Sequence, residues 1–453
     1  MFRHGSPRAA LLACFVTSLL IASTTPFRAS APEQTRALWV TRTTLTSPES
    51  IKQMVAAAQR GSFNTLLVQV RGRGDAYYSG SLEPRATELA GKPSFDPLAT
   101  VIAESQAAGI KVHAWVAVNL VSSSVSLPAS RDHVIYRAPE WLMVPRELAA
   151  EMKKIDLRSP AYLGRLARWT RAHSSIVEGL YTSPLHAAAQ DHTAAVIGEI
   201  AAKYPVDGIH LDYVRFPNED FDYSPSALDQ FKKAIAGSLS DQEKREAAAR
   251  EVLDPAAYPN LFPDRWSDFR RSQLTSTVIK IRTAVKTARP GTLVSAAVVP
   301  DAQTAFASRM QDWRGWIDQS LLDVICPMAY TADTDIFQKQ IASAIAYAGS
   351  RPVWAGIGAY QMPPSQTLMH IAAAKSSAQR ASSCSRTKRW RRRPTAPCRS
   401  ASLAAPHSAP ARSKVSGCRS QGSTTSSSAR ISSPSRRSVR GSRAIRKPLA
   451  IIS

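Results

Sequence analysis

The chain has 453 residues, 44% of them apolar, which suits one large domain of roughly 250–350 residues plus appendages. Its formal charge is +24, but 18 Lys and Arg and no Asp or Glu lie after Lys375, so residues 1–375 carry +6 and a basic nucleic-acid-binding domain is excluded for the folded part. Of five cysteines only Cys326 falls in the expected domain, against Cys14, Cys384, Cys398 and Cys418 outside it, which excludes a disulfide framework and a Cys-rich metal site.

Residues 1–31 read as a secretory signal. Arg3, His4 and Arg8 precede an apolar run from Ala9 to Ala22 that is short for a membrane span, and Ala29-Ser30-Ala31 resembles a cleavage site. Export to the periplasm or beyond is therefore expected, with no transmembrane anchor after cleavage. A lipoprotein signal at Cys14 and an uncleaved anchor are the other readings.

Residues 32–375 alternate apolar strands with helices. The expected strands are Ala37–Thr41, Thr65–Arg71, Lys111–Asn119, Val206–Pro217, Thr292–Pro300, Leu322–Tyr330 and Pro352–Gly358. The expected helices are Ser47–Gln59, Asp96–Ala108, His186–Tyr204, Trp266–Ala288, Trp313–Gln319, Phe337–Ala348 and one beginning at Gln366. Two long excursions interrupt the alternation, Leu120–Thr182 and Asn218–Pro263, the second with a helix over Asp241–Leu253. Strict alternation indicates a parallel sheet covered by helices, a (β/α)₈ barrel whose eighth strand is missing. An open doubly wound sheet is the rival, weakened because no Gly-rich phosphate loop follows the first strand.

After Lys375 hydrophobic periodicity stops and Ser, Arg, Ala and Pro take over. Residues 376–453 read as a disordered basic tail or as the product of a shifted reading frame. With GC-rich codons, the alternative frame from Ala378 spells AAGFVLFSYEAL, an apolar strand where the eighth is due. The first and seventh strands would then be left as unpaired edges.

The stretch Asp207-Gly208-Ile209-His210-Leu211-Asp212-Tyr213 concentrates the chemistry. Strand alternation puts Gly208, His210 and Asp212 on one face, and Asp212 ends the strand where parallel barrels keep catalytic groups. Asp207 opens it at the opposite end and reads as structural. Glycoside hydrolysis needs two carboxyl groups about 5–5.5 Å apart for retention or 6.5–9.5 Å for inversion. Asp301, directly after the fifth strand, is the preferred partner, with Asp75, Glu219 and Asp220 as other candidates. Trp115, Tyr213, Tyr330, Trp354 and Tyr360 are candidates to stack on sugar rings. Gln69, Arg71, His113, Asn119, His210 and Arg215, with Asp75, are candidates to bind hydroxyls. The glycines of Arg71-Gly72-Arg73-Gly74 read as a turn, and His186 and His192 are six apart, not a same-face metal pair. No metal and no cofactor are expected.

Arg36-Ala37-Leu38-Trp39-Val40, Phe63-Asn64-Thr65 with Gln69-Val70-Arg71 and Gly74-Asp75-Ala76, and Val112-His113-Ala114-Trp115 resemble the opening strands of the bacterial glycosyl-hydrolase-like family 10. Asp207 to Tyr213 with Arg215 and Pro217 resembles its most characteristic block. Trp313 with Trp316, Asp323, Pro327-Met328 with Tyr330, and Ala355–Gly358 extend the likeness over about residues 35–375. The resemblance implies a (β/α)₈ barrel acting on polysaccharides, cell-envelope glycans included, and it implies an eighth strand like the one in the shifted frame. The Asp207-to-Asp212 spacing is also similar to the fourth strand of α-amylase-type enzymes, whose last Asp is a nucleophile. In chitinase-type enzymes an acid Glu stands where this chain has Val214. The resulting expectation is an exported glycoside hydrolase-like protein, with Asp212 as nucleophile or base and Asp301 as general acid. The alternatives are an inactive or carbohydrate-binding barrel, and nucleic-acid binding through the tail. The substrate is a polysaccharide or oligosaccharide, with no specific nucleic acid partner.

Overall fold

The computed structural model of the chain describes residues 34–390 and 449–452. Seven strands run parallel and curl into a ring: β1 Arg36–Val40, β2 Thr65–Arg71, β3 Lys111–Ala117, β4 Gly208–Asp212, β5 Leu293–Val298, β6 Val324–Ala329 and β7 Ala355–Ile357. After each strand a helix packs back on the outside: α1 Pro48–Arg60, α2 Pro97–Ala107, α3 Ala187–Lys203, α4 Pro263–Ala288, α5 Trp313–Asp318, α6 Thr334–Ala348 and α7 Pro364–Trp390. Strand ends are shorter than the apolar pattern suggests, because the ladder stops where the chain turns polar at the rim.

The slot between β7 and β1 holds a strand, and this corrects the expectation of an open edge. Leu449–Ile452 (β8) pairs antiparallel with both neighbours and closes the ring. Unpaired edge strands leave backbone donors and acceptors unsatisfied, and Leu449-Ala450-Ile451-Ile452 is an apolar run able to fill them. It does so in the reverse direction, so no parallel eighth strand is among the described residues. The segment from Ala378, expected as a strand in the alternative frame, continues α7 in this sequence.

Helix starts follow from a two-residue signal used four times. Ser47-Pro48, Asp96-Pro97, Ser159-Pro160 and Ser224-Pro225 each place a capping oxygen before a proline at the first helical position. The cap accepts a backbone N–H that would otherwise be orphaned, and proline has none to lose there. Against the barrel, α3 and α4 pack closely where Gly198 faces Ala284.

Inside the ring, alternate residues point inward. Ala37, Trp39, Leu67, Val324, Cys326 and Trp354 form an interior cluster, with Trp115, Tyr330 and Tyr360 packed against it. Ile209 and Leu211 point outward into the larger core under the helices. His113 lies beside Gly208 in register, and a Cβ on Gly208 would stand 2.1 Å from the His113 ring. Gly208→Ala is therefore expected to cost about 1–3 kcal/mol, read as a lower urea midpoint. Gly291→Ala, where a Cβ meets nothing, should stay within about 0.5 kcal/mol.

At the opposite, N-terminal rim, three side chains join neighbouring strands. Asn64 Oδ1 accepts the N–H of Arg36 at 2.8 Å. Asp207 Oδ2 accepts that of Val112 at 2.8 Å, and Asp323 Oδ2 that of Val294 at 2.8 Å. Asp207 is structural, as its place at the start of the strand implies. Arg282 and Lys286 flank Asp323 at 3.1 and 3.0 Å.

Candidate active site

A cavity of about 580 Å³ opens at the C-terminal ends of the strands, the end where parallel barrels carry their chemistry. Each element lends a side chain because strand termini converge there: Trp39 from β1, Gln69 from β2, Trp115 from β3 and Asp212 from β4. Ala297 and Met328 come from β5 and β6, and Tyr360 follows β7. The loops add Thr41, Arg73, Tyr213, Arg215 and Tyr330.

Asp212 is buried at the floor. Its Oδ1 accepts the N–H of Tyr213 at 2.7 Å, and its Oδ2 accepts the indole N–H of Trp115 at 3.1 Å. Burial raises its pKa above the usual carboxylate range, although the Arg215 charge and the two hydrogen bonds pull it down. The next residue, Tyr213, has φ of 51°. A left-handed backbone is costly for a bulky side chain, and such strain clusters at functional positions.

Below Asp212, His210 is fully buried. Its Nε2 accepts the indole N–H of Trp39 at 3.0 Å, so Nδ1 carries the proton and donates to Ser295 Oγ at 2.9 Å. Burial drives its pKa down to about 3. His113 is buried likewise and falls to about 3 for the same reason, with Lys111 adding to the effect.

On the wall, Arg215 stacks over the Tyr213 ring at 4.5 Å from its centroid and meets Glu178 Oε1 at 3.4 Å. Burial alone would lower the Arg215 pKa, but Tyr181, Glu178 and Asp212 outweigh it and hold it above the ordinary value. Glu178 also accepts the hydroxyl of Tyr181 at 2.6 Å. It stands at the end of the long excursion after β3, which returns here through the pairing of Leu120 with Tyr181.

Of the expected residues, Gln69, Trp115, Asp212, Tyr213, Arg215, Tyr330 and Tyr360 line this cavity. Nine others do not, among them Glu219 and Asp220 in the loop after β4, Asp220 lining a separate cavity with Glu147 and Trp169. Asp301 caps a short helix instead, accepting both the N–H and the hydroxyl of Thr304 at 2.7 Å. Those bonds hold its pKa below the usual carboxylate range, the opposite of what a general acid needs. Arg71 is buried and bidentate to Glu83, at 2.7 and 2.6 Å. Despite burial, Arg71 and His192 bring Glu83 down to about 2, so the pair is internal. Asp75 pairs with Arg42 at 3.6 Å and accepts the N–H of Arg73. Asn119 donates to Thr182 O at 3.0 Å within the excursion. His113 and Trp354 pack on each other inside the ring with centroids 5.3 Å apart, and His210 is enclosed as described. Sequence reasoning missed Trp39, Thr41, Arg73 and Glu178. The first two were findable as the end of the first strand. Arg73 lies in a stretch that reads as a turn, and nothing local marks Glu178. Among the described residues no three His, Cys, Asp or Glu side chains converge as a metal site.

A curled parallel sheet, covered by helices and holding a buried carboxylate in an aromatic-walled cavity at its C-terminal rim, defines a glycoside hydrolase-like α/β protein. Residues 34–361 match the family described as glycosyl hydrolase-like 10, and the chain belongs to that family. Glycosyl hydrolase DigH of Escherichia coli K12 is 24% identical over 336 residues, covering 67% of this chain and 64% of that protein. Glycosyl hydrolase YngK of Bacillus subtilis 168 is 23% identical over 354 residues, covering 70% and 59%. The chain thus spans about 64% and 59% of the lengths of these relatives. The glycoside hydrolase domain of PgaB (BpsB) from Bordetella bronchiseptica superposes with a TM-score of 0.47 at 14% identity, over 71% of this chain and 83% of that one.

His113 and His210 set an acid limit. They are neutral in the folded protein, whereas in the unfolded chain they take up protons below about pH 6.5. Stability is therefore expected to decline as pH falls from about 6.5 towards 3, because the unfolded state binds more protons. Urea midpoints at pH 7, 6 and 5 check this, and His113→Gln should flatten the dependence.

Proposed function

We propose that this chain is an exported glycoside hydrolase that cleaves glycosidic bonds in a polysaccharide, a cell-envelope glycan being the favoured class. The observation that carries the reading is Asp212: a buried carboxyl with a raised pKa, placed at the end of β4 and facing a cavity walled by Trp39, Trp115, Tyr330 and Tyr360. Burial favours the protonated form of the carboxyl, the form that can pass a proton to the leaving oxygen. Aromatic faces and the amide of Gln69 suit the alternating apolar and hydroxyl surfaces of a sugar.

Asp212 then takes the proton-transfer role, and the second carboxylate is Glu178 rather than Asp301. Glu178 is tied to the cavity wall through Arg215 and Tyr181 and is half-exposed, so it can meet water. It either activates that water or attacks the sugar while Asp212 protonates the departing oxygen. Export rests on residues 1–31. The barrel reading is completed by the alternative frame, in which a parallel eighth strand follows Ala378. DNA sequence across codons 370–390 tests that part, and an intact frame in a second isolate would remove it.

Asp212→Asn should lower the rate of reducing-end release from envelope glycans by roughly 10²–10⁴-fold with the fold retained by circular dichroism. Binding of glycans by the unmodified chain without turnover would instead make it a carbohydrate-binding barrel. Asp301→Ala separates the two carboxylates: it should lose about 0.5–2 kcal/mol of stability through the missing cap and leave the rate nearly unchanged. A rate loss comparable to that of Asp212→Asn would restore Asp301 as the acid.

A further inference from the structure

Strand β4 loses one of its two neighbours at the point where it reaches the cavity. On the β3 side backbone pairing runs on past the strand: Val118 N–H donates to Asp212 O at 2.7 Å, and Asn119 N–H to Tyr213 O at 3.3 Å. On the β5 side the register ends at Leu211 and Ala296. The left-handed backbone of Tyr213 accounts for the break, because such a residue cannot continue a strand. Buried peptide groups beyond the break still need partners.

One side chain supplies them. Gln311 is 1% exposed and stands between the two strand ends. Its Nε2 donates to Val214 O and to Ala297 O, both at 3.2 Å, and its Oε1 accepts Val299 N–H at 2.8 Å. A primary amide carries both donors and an acceptor, so it can stand in for a peptide group. A carboxylate accepts without donating, and a thioether offers no N–H or O–H. The backbone on either side reinforces the bridge. Arg309 O accepts Phe216 N–H at 3.0 Å, so the chain is held both before and after Arg215. Gln311 N–H donates to Ala305 O at 2.8 Å, which anchors it to the short helix Ala302–Ser308.

Both ends of this bridge carry cavity residues: Asp212, Tyr213 and Arg215 on one side, Ala297, Val299 and Pro300 on the other. Gln311 itself does not line the cavity. The carboxyl of Asp212 is oriented by the N–H of Tyr213, the residue at the break.

We propose that Gln311 is a positioning residue for the site, its amide replacing the lost pairing of β4 with β5 and thereby fixing Asp212 and Arg215 against the β5 rim. This rests on the hydrolase reading and adds to it a residue that acts from outside the cavity.

The test uses the full chain, unmodified and as Gln311→Met and Gln311→Glu. Reducing-end release from envelope glycans gives kcat and KM per folded molecule, and backbone hydrogen exchange is followed alongside. Both substitutions should lower kcat about 10–100-fold, the scale of an ångström's misplacement. KM should stay within about twofold, because the aromatic walls remain in place. Exchange should quicken over 213–217 and 297–300 and stay unchanged in β1 and β2. In the unmodified chain the Val299 amide, whose partner is the Gln311 side chain, should exchange as slowly as its β5 neighbours. Fast exchange there overturns the proposal even if neither variant folds. Unchanged kcat per folded molecule, with exchange raised evenly around the ring, makes Gln311 a stability residue only and overturns it too. So does full kcat in Gln311→Glu, which keeps an acceptor for Val299 but cannot donate to both carbonyls. No turnover by the unmodified chain removes the hydrolase reading instead. Local quickening over 213–217 in the variants then still supports the bridge, and its absence overturns it.

Discussion

The ring of His210 holds the inside of this barrel in place. It accepts from Trp39 on β1 and donates to Ser295 on β5, so three strands are tied through one imidazole. That arrangement works only for the neutral ring in a single tautomer, and burial enforces neutrality. Asp212 sits two residues further along the same face, so its position follows from the same anchored strand. The two residues share a burial but differ in its consequence. For the histidine burial disfavours the charged ring, and for the aspartate it disfavours the charged carboxylate.

The period-two pattern made the strands readable, and it assigned Gly208, His210 and Asp212 to one face correctly. Direction separated Asp207 from Asp212: the same residue type is a structural acceptor at the start of β4 and a cavity carboxyl at its end. The pattern could not say how deep a residue lies along the strand axis. His113, Trp354 and Arg71 carry suitable chemistry, yet they stand below the cavity or point away from it. Asp301 is adjacent in sequence to the cavity residue Pro300, but one step further the chain begins a helix and its carboxylate turns to serve that helix. Glu178 was invisible for the converse reason. It returns to the site after a long excursion, and no periodicity links positions 178 and 215.

The excursions after β3 and β4 are joined to each other as well as to the barrel. Asp222 Oδ1 accepts the N–H of Val144 at 2.8 Å, and Arg146 N–H donates to Asp220 O at 2.9 Å. They form one layer over the C-terminal rim, which accounts for the burial of Arg215 and Asp212 close to the molecular surface. The low-dielectric setting that raises one pKa and strengthens charge pairing is thus made by loops placed over the barrel ends.

Asn64, Asp207 and Asp323 each join a strand to the one before it, so β1 with β2, β3 with β4, and β5 with β6 are stapled in twos at the lower rim. The ring is in that sense three bonded couples and a remainder. β7 belongs to no couple, and beside it lies a short strand from the far end of the sequence, running the wrong way. Cohesion is therefore unequal around the circumference, with a seam at β7 and β8. That seam lies across the ring from β4, the strand that carries Asp212.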